Sequence, residues 1–94
     1  MNSRPPEAID DMRVLYYADA SPFQPHLKKY MPKVPHWFVV VYYEEDKSYC
    51  ILGTDNDFQN WEQYTSYVFK DAPTALAFTD AIFRLPDDFH WIKV

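Results

Sequence analysis

Glycine occurs once in the 94 residues, at Gly53. A loop that cradles phosphate needs several glycines to bring backbone N–H groups against the anion, so neither a Walker loop nor a dinucleotide-binding turn is encoded. Cysteine also occurs once, at Cys50. That excludes an intrachain disulfide and fits a reducing compartment, so a cytoplasmic location is expected. Basic residues are few: nine Lys and Arg stand against fourteen Asp and Glu, for a net charge of −5. This balance opposes direct binding to nucleic acid or to an anionic membrane, and favours a protein partner with a basic surface. No apolar stretch is long enough to cross a bilayer, and the polar start from Met1 to Glu7 lacks the apolar core of a signal peptide.

Aromatic side chains are abundant, with eight Tyr, seven Phe and three Trp. They supply apolar area for a core and anchors for an interface. The run from His36 to Glu44 has no polar interruption between its ends except the hydroxyls of Tyr42 and Tyr43, so a strand built from it buries both faces of its sheet. One such face needs a helix. The other needs a lid from the remaining chain or from a second copy.

Residues 1–11, polar and carrying Pro5 and Pro6, read as a mobile N-terminal arm, and 12–94 as a single domain. Met12 to Ala18 is rich in strand formers. The prolines at 22, 25, 32 and 35 confine any following helix to Pro25 to Met31. Trp37 to Tyr43 and Ser48 to Leu52, separated by Glu44 to Lys47, predict a hairpin, and Trp61 to Phe69 a third strand of the meander. Asp71 can cap a helix running to Leu85, with Ala75, Phe78, Ile82 and Leu85 as its apolar stripe, joined by Leu76 and Phe83. Phe89 to Val94 predicts a last strand, reached by a crossover that leaves it parallel to the third strand and near it. The expected fold is α+β: a mainly antiparallel sheet of four or five strands, with one principal helix over about 72–85 packed on one face as a two-layer sandwich. The order helix, strand, strand, strand, helix from Pro25 to Leu85 resembles that of double-stranded-RNA-binding domains. The resemblance is in element order alone, because the start of the last helix, basic in such domains, is here Asp71-Ala72-Pro73-Thr74.

Few residues carry a chemical signature. Cys50 lies between Tyr49 and Ile51 in a predicted strand, where a buried and inert thiol is expected. His36 and His90 stand at the mouths of strands, and with Asp88 they could converge as metal ligands, but the spacing matches no structural zinc site. Asp55 to Asp57 with Glu62 hints at a calcium loop, yet Asn60 and Ser66 stand where an EF-hand needs glycine and glutamate, so a self-bonded turn explains the cluster. No metal, cofactor or catalytic residue is therefore expected.

What remains is a surface. Glu44, Glu45 and Asp46 at the hairpin tip, with Asp55, Asp57, Phe58 and Trp61 in the following loop, form an acidic and aromatic set suited to a basic protein. The expected function is non-enzymatic, stoichiometric binding to another protein as an inhibitor, immunity-type partner or adaptor. Small acidic proteins of phages and mobile elements, such as anti-restriction and anti-CRISPR proteins that occupy a nucleic-acid-binding site, are the analogy of size and charge. The alternative is a homodimer or larger assembly that buries the second sheet face between copies.

Overall fold

The computed structural model describes residues 4–64 and 68–94. Its element order is β1 (Ala8–Ile9), β2 (Met12–Asp19), a 3-10 turn (Ser21–Phe23), α1 (Gln24–Leu27), β3 (Trp37–Tyr43), β4 (Ser48–Thr54), β5 (Trp61–Gln63), α2 (Ala72–Phe83) and β6 (Ile92–Lys93). The strands form one antiparallel sheet in the order β1-β2-β3-β4-β5, with β6 paired to β2 on the edge that β1 also uses. The fold is thus the expected α+β one, a sheet with one main helix packed against it. The three strands that follow α1 are only part of the sheet, because β2 flanks β3 and β6 flanks β2.

The doubly apolar run behaves as its composition requires. In β3, Phe38 and Val40 point toward the helix, whereas Trp37, Val39 and Val41 point to the opposite face. Each large apolar side chain so buried contributes roughly 1.5–3 kcal/mol of transfer free energy. In β2 a register shift between Val14 and Tyr16 leaves Leu15 as an extra residue. Such a bulge reverses the alternation, so Leu15 and Tyr16 both pack on the helix side while Val14 and Tyr17 face away.

The second face is closed by the chain itself. The sheet curls until the Trp61 indole Nε1–H donates to Asp10 Oδ2 at 2.8 Å, joining the β1–β2 turn to the start of β5. Ile9, 4% exposed, and Phe58, 5% exposed, fill the space beneath together with Val14, Tyr17, Cys50 and Leu52. Within the segment read as an arm, Ala8 and Ile9 therefore form a strand, turned back on Met12 by Asp10 in a left-handed conformation with φ 54°. Asp tolerates that region better than most residues.

Three expectations change. The buried stripe of α2 is Ala72, Ala75, Thr79 and Phe83, with Ile82 exposed and Phe78 half-buried against Phe69 at 5.1 Å between ring centres. Small residues let the helix lie close to the sheet, and the Thr79 hydroxyl donates to Ala75 O at 2.9 Å, so threonine serves there as an apolar residue. The helix ends at Phe83 because Arg84 is left-handed, with φ 47°. The last strand lies across the sheet from β5, antiparallel to β2, because the chain after α2 traverses the helix face before it finds a free edge. Of the predicted third strand, Trp61–Gln63 pairs with β4 and Phe69 bridges to Tyr49, while residues 65–67 lie outside the described residues.

Candidate functional site

The site grows from the closed end of the second face. The register aligns Met12 with Tyr43, and Tyr43 with Ser48. Alternation then sets Ser48, Cys50 and Tyr43 on the same face, below the Trp61–Asp10 contact. They floor a pocket of about 380 Å³, whose wall includes Trp61, Gln63 and Val68 and whose rim carries Asp10, Asp11 and Asp46. Among the described residues no Lys or Arg lines it. A larger concavity, about 620 Å³, lies between the β6 edge and the start of α2, and there Arg13 and Lys93 are balanced by Glu7 and Asp71. The pocket at the hairpin end is smaller but has a single sign of charge.

Two of its aromatic groups are held by carboxylates. Trp61, 37% exposed, is fixed by Asp10. Tyr43 donates its hydroxyl to Glu45 Oε2 at 2.6 Å, which together with the neighbouring negative charge holds the phenol above its ordinary pKa. On the floor, burial pushes the Cys50 thiol up, with Ser48 opposing. A raised thiol is largely protonated at neutral pH, so Cys50 is a poor nucleophile. Ser48 Oγ is buried and has no hydrogen-bond partner of good geometry.

The residues expected from sequence do not gather in one place. Asp46 and Trp61 meet at the pocket, with Glu45 tied to Tyr43 beside it. Glu44 lies in a separate pocket shared with Asp11, Arg13 and Tyr42. Asp55 is turned inward on its own loop, accepting from Asn60 Nδ2 at 2.7 Å and from Gln59 N at 2.9 Å, bonds that lower its pKa. Asp57 is exposed beside Arg4, Pro5 and Pro6. Phe58 is a core residue here: it stacks on Trp37 with ring centres 5.1 Å apart and offers little surface to a partner.

Asp10, Asp11, Met12, Ser48 and Cys50 complete the site and were not in that set. Their proximity depends on the β1–β2 turn reaching β5, for which the sequence has only the Asp10-Asp11 pair as a signal. His36 Nε2 lies 3.9 Å from Asp19 Oδ1, and among the described residues no group of three His, Cys, Asp or Glu could hold a metal ion. No helix among the described residues is long and apolar enough to cross a membrane. Comparison of the chain with protein-family models, with curated proteins and with solved structures finds no match in any of the three.

Proposed function

We propose that this chain works in the cytoplasm by stoichiometric binding to a protein that presents a basic surface, as an inhibitor, immunity-type partner or adaptor. The observation that carries the reading is the gathering of Asp10, Asp11 and Asp46 around an aromatic pocket that, among the described residues, no Lys or Arg lines. Like charges crowded on one rim raise the local potential, speed encounter with a basic partner and give Trp61 and Tyr43 a place to act as anchors. Such a surface competes naturally for a basic groove that otherwise takes nucleic acid, as small phage or mobile-element inhibitors do. The homo-oligomer alternative started from an uncovered sheet face; Ile9, Trp37, Val39, Val41 and Phe58 are buried together there within one chain, so an assembly would need another surface.

The test is affinity capture from lysate of the cells that encode the protein, at low and high salt, with light scattering on the captured complex. A single partner in fixed ratio, retained at low salt and released at high salt, supports the reading. Capture that is insensitive to salt, or none at all, rejects it.

A further inference from the structure

We propose that a second pocket, at the end of β4 away from the hairpin, binds a saccharide through one pyranose ring. It goes beyond the reading above and shares only Trp61 with the hairpin-end pocket. Three segments, 33–36, 53–56 and 60–64, meet around a volume of about 360 Å³, within the size range of small-ligand sites. The chain's single glycine is among the lining residues. A Cβ on Gly53 would lie 1.8 Å from Tyr64 Cε2 and 2.8 Å from Pro35 Cβ, so the bare backbone is what lets these two rings close on β4 as walls.

The walls are already held in place. The Tyr64 hydroxyl donates to Lys33 O at 3.2 Å, the Trp61 indole N–H to Asp10 Oδ2 at 2.8 Å, and Asn60 Nδ2 to Asp55 Oδ2 at 2.7 Å. Groups restrained beforehand lose less freedom when a ligand arrives. With its NH2 given to Asp55, the Asn60 amide keeps Oδ1 as an acceptor. The Asn56 side-chain amide, unbonded among the described residues, adds donors and an acceptor, Glu62 adds acceptors and Lys33 adds donors.

This chemistry selects the ligand. Donors and acceptors stand together, and amides and carboxylates each present two polar atoms side by side. That suits adjacent hydroxyls, every one of which both donates and accepts, as on a sugar ring. Trp61, 37% exposed, and the half-buried Tyr64 offer aromatic area to the C–H face of the same ring. A phosphate group would find one lysine and no glycine-rich run of N–H groups. A flat base would find no slot: Tyr64 continues the β5 pairing through its N–H to Ile51 O, so Trp61 and Tyr64, three positions apart, leave the strand on opposite faces and do not sandwich a ring.

The test titrates the isotopically labelled full-length protein with methyl α-D-mannopyranoside, methyl β-D-galactopyranoside and methyl N-acetyl-β-D-glucosaminide. Adenosine and glycerol serve as comparisons. A ligand of this size binds on the order of a millimolar, so each titration runs to tens of millimolar. The backbone amides of Gly53, Asn56 and Glu62 and the indole N–H of Trp61 are followed by NMR. Saturable shifts at these groups are expected from at least one glycoside, and none from adenosine or glycerol. Asn56→Ala should weaken the binding roughly fivefold and Glu62→Gln several-fold, with the amide spectrum otherwise preserved. No saturable shift from any of the three glycosides, shifts centred elsewhere, an equal response to adenosine or glycerol, or unchanged affinity in both variants overturns the proposal. The carboxylates at the hairpin end take no part here, so this test and the capture of a protein partner succeed or fail separately.

Discussion

Replacing Gly53 with alanine places a methyl group where the Tyr64 ring already sits. The new Cβ would lie 1.8 Å from Tyr64 Cε2, 2.6 Å from Cδ2 and 2.8 Å from Pro35 Cβ. Carbon atoms reach comfortable contact at roughly 3.5 Å, so the ring must leave its place. It would give up its edge-on contact with Phe38, at 6.1 Å between ring centres, and the bond from its hydroxyl to Lys33 O at 3.2 Å. Overpacking costs about 1–3 kcal/mol, the aromatic contact about 0.5–1.5, and the exposed hydrogen bond about 0.5. Alanine recovers about 0.5–1 kcal/mol by restricting the unfolded chain. The net expectation is a loss of about 3 kcal/mol, or a fall in Tm of about 12–24 °C for a domain of this size. Urea unfolding followed by circular dichroism reads it as a lower midpoint at unchanged slope. On a Tyr64→Ala background the cost should shrink to below about 1 kcal/mol, the part due to Pro35. An equal cost in both backgrounds, or a neutral Gly53→Ala, refutes the assignment of Gly53 to close packing under Tyr64.

Three further outcomes follow from the same structure. Phe58→Ala should cost about 3 kcal/mol of stability in urea unfolding while leaving partner capture by the folded protein unchanged; weakened capture at full stability would return Phe58 to the interface. Cys50, raised by burial, should react with a disulfide reagent at pH 7 at least about a hundredfold more slowly in the folded than in the urea-unfolded protein, and equal rates would show an accessible thiolate. Asp71 accepts the Thr74 N–H at 2.8 Å, and the Thr74 side chain and backbone hold its carboxyl below its ordinary pKa. The unfolded chain therefore takes up the proton first, so this stabilisation is full above about pH 5 and is lost as pH falls through about 4 and below. Asp71→Asn, which still caps the helix, should lower Tm less between pH 7 and pH 3.5 than the parent does, and parallel profiles would contradict the assignment.

Sequence reading reached furthest where one residue type decides one element. The unbroken apolar run at β3 required two buried faces and has them, the hairpin over Glu44 to Lys47 follows from a charged turn between strand formers, and Asp71 with Pro73 marks the start of α2. It reached less far where the outcome depends on distant pairing. The face of α2 was misread by one position because Thr79 counts as polar until its hydroxyl is seen to bond Ala75, whereas Phe78 and Ile82 count as core on composition. The last strand was placed beside β5 because local crossover rules do not reveal that the two-residue β1 leaves the rest of that β2 edge free. In the site, Asp46 and Trp61 were legible as an acidic tip and an aromatic loop. Asp10 and Asp11 were read as part of an arm, since nothing local says that Ile9 is buried or that Trp61 bonds across 51 positions of sequence.

The central claim, that the acidic hairpin end is the binding surface, is tested most directly by matched charge reversal. One variant carries Glu44, Glu45 and Asp46 changed to Lys, and the other Asp80, Asp87 and Asp88, all exposed and distant in sequence from the hairpin. Each change adds two charges, so three take the net from −5 to +1 in both proteins. Capture from lysate at low salt should be lost by the hairpin variant and retained by the other. Equal capture by both variants, or equal loss in both, contradicts the claim, because the second result would leave only net charge at work.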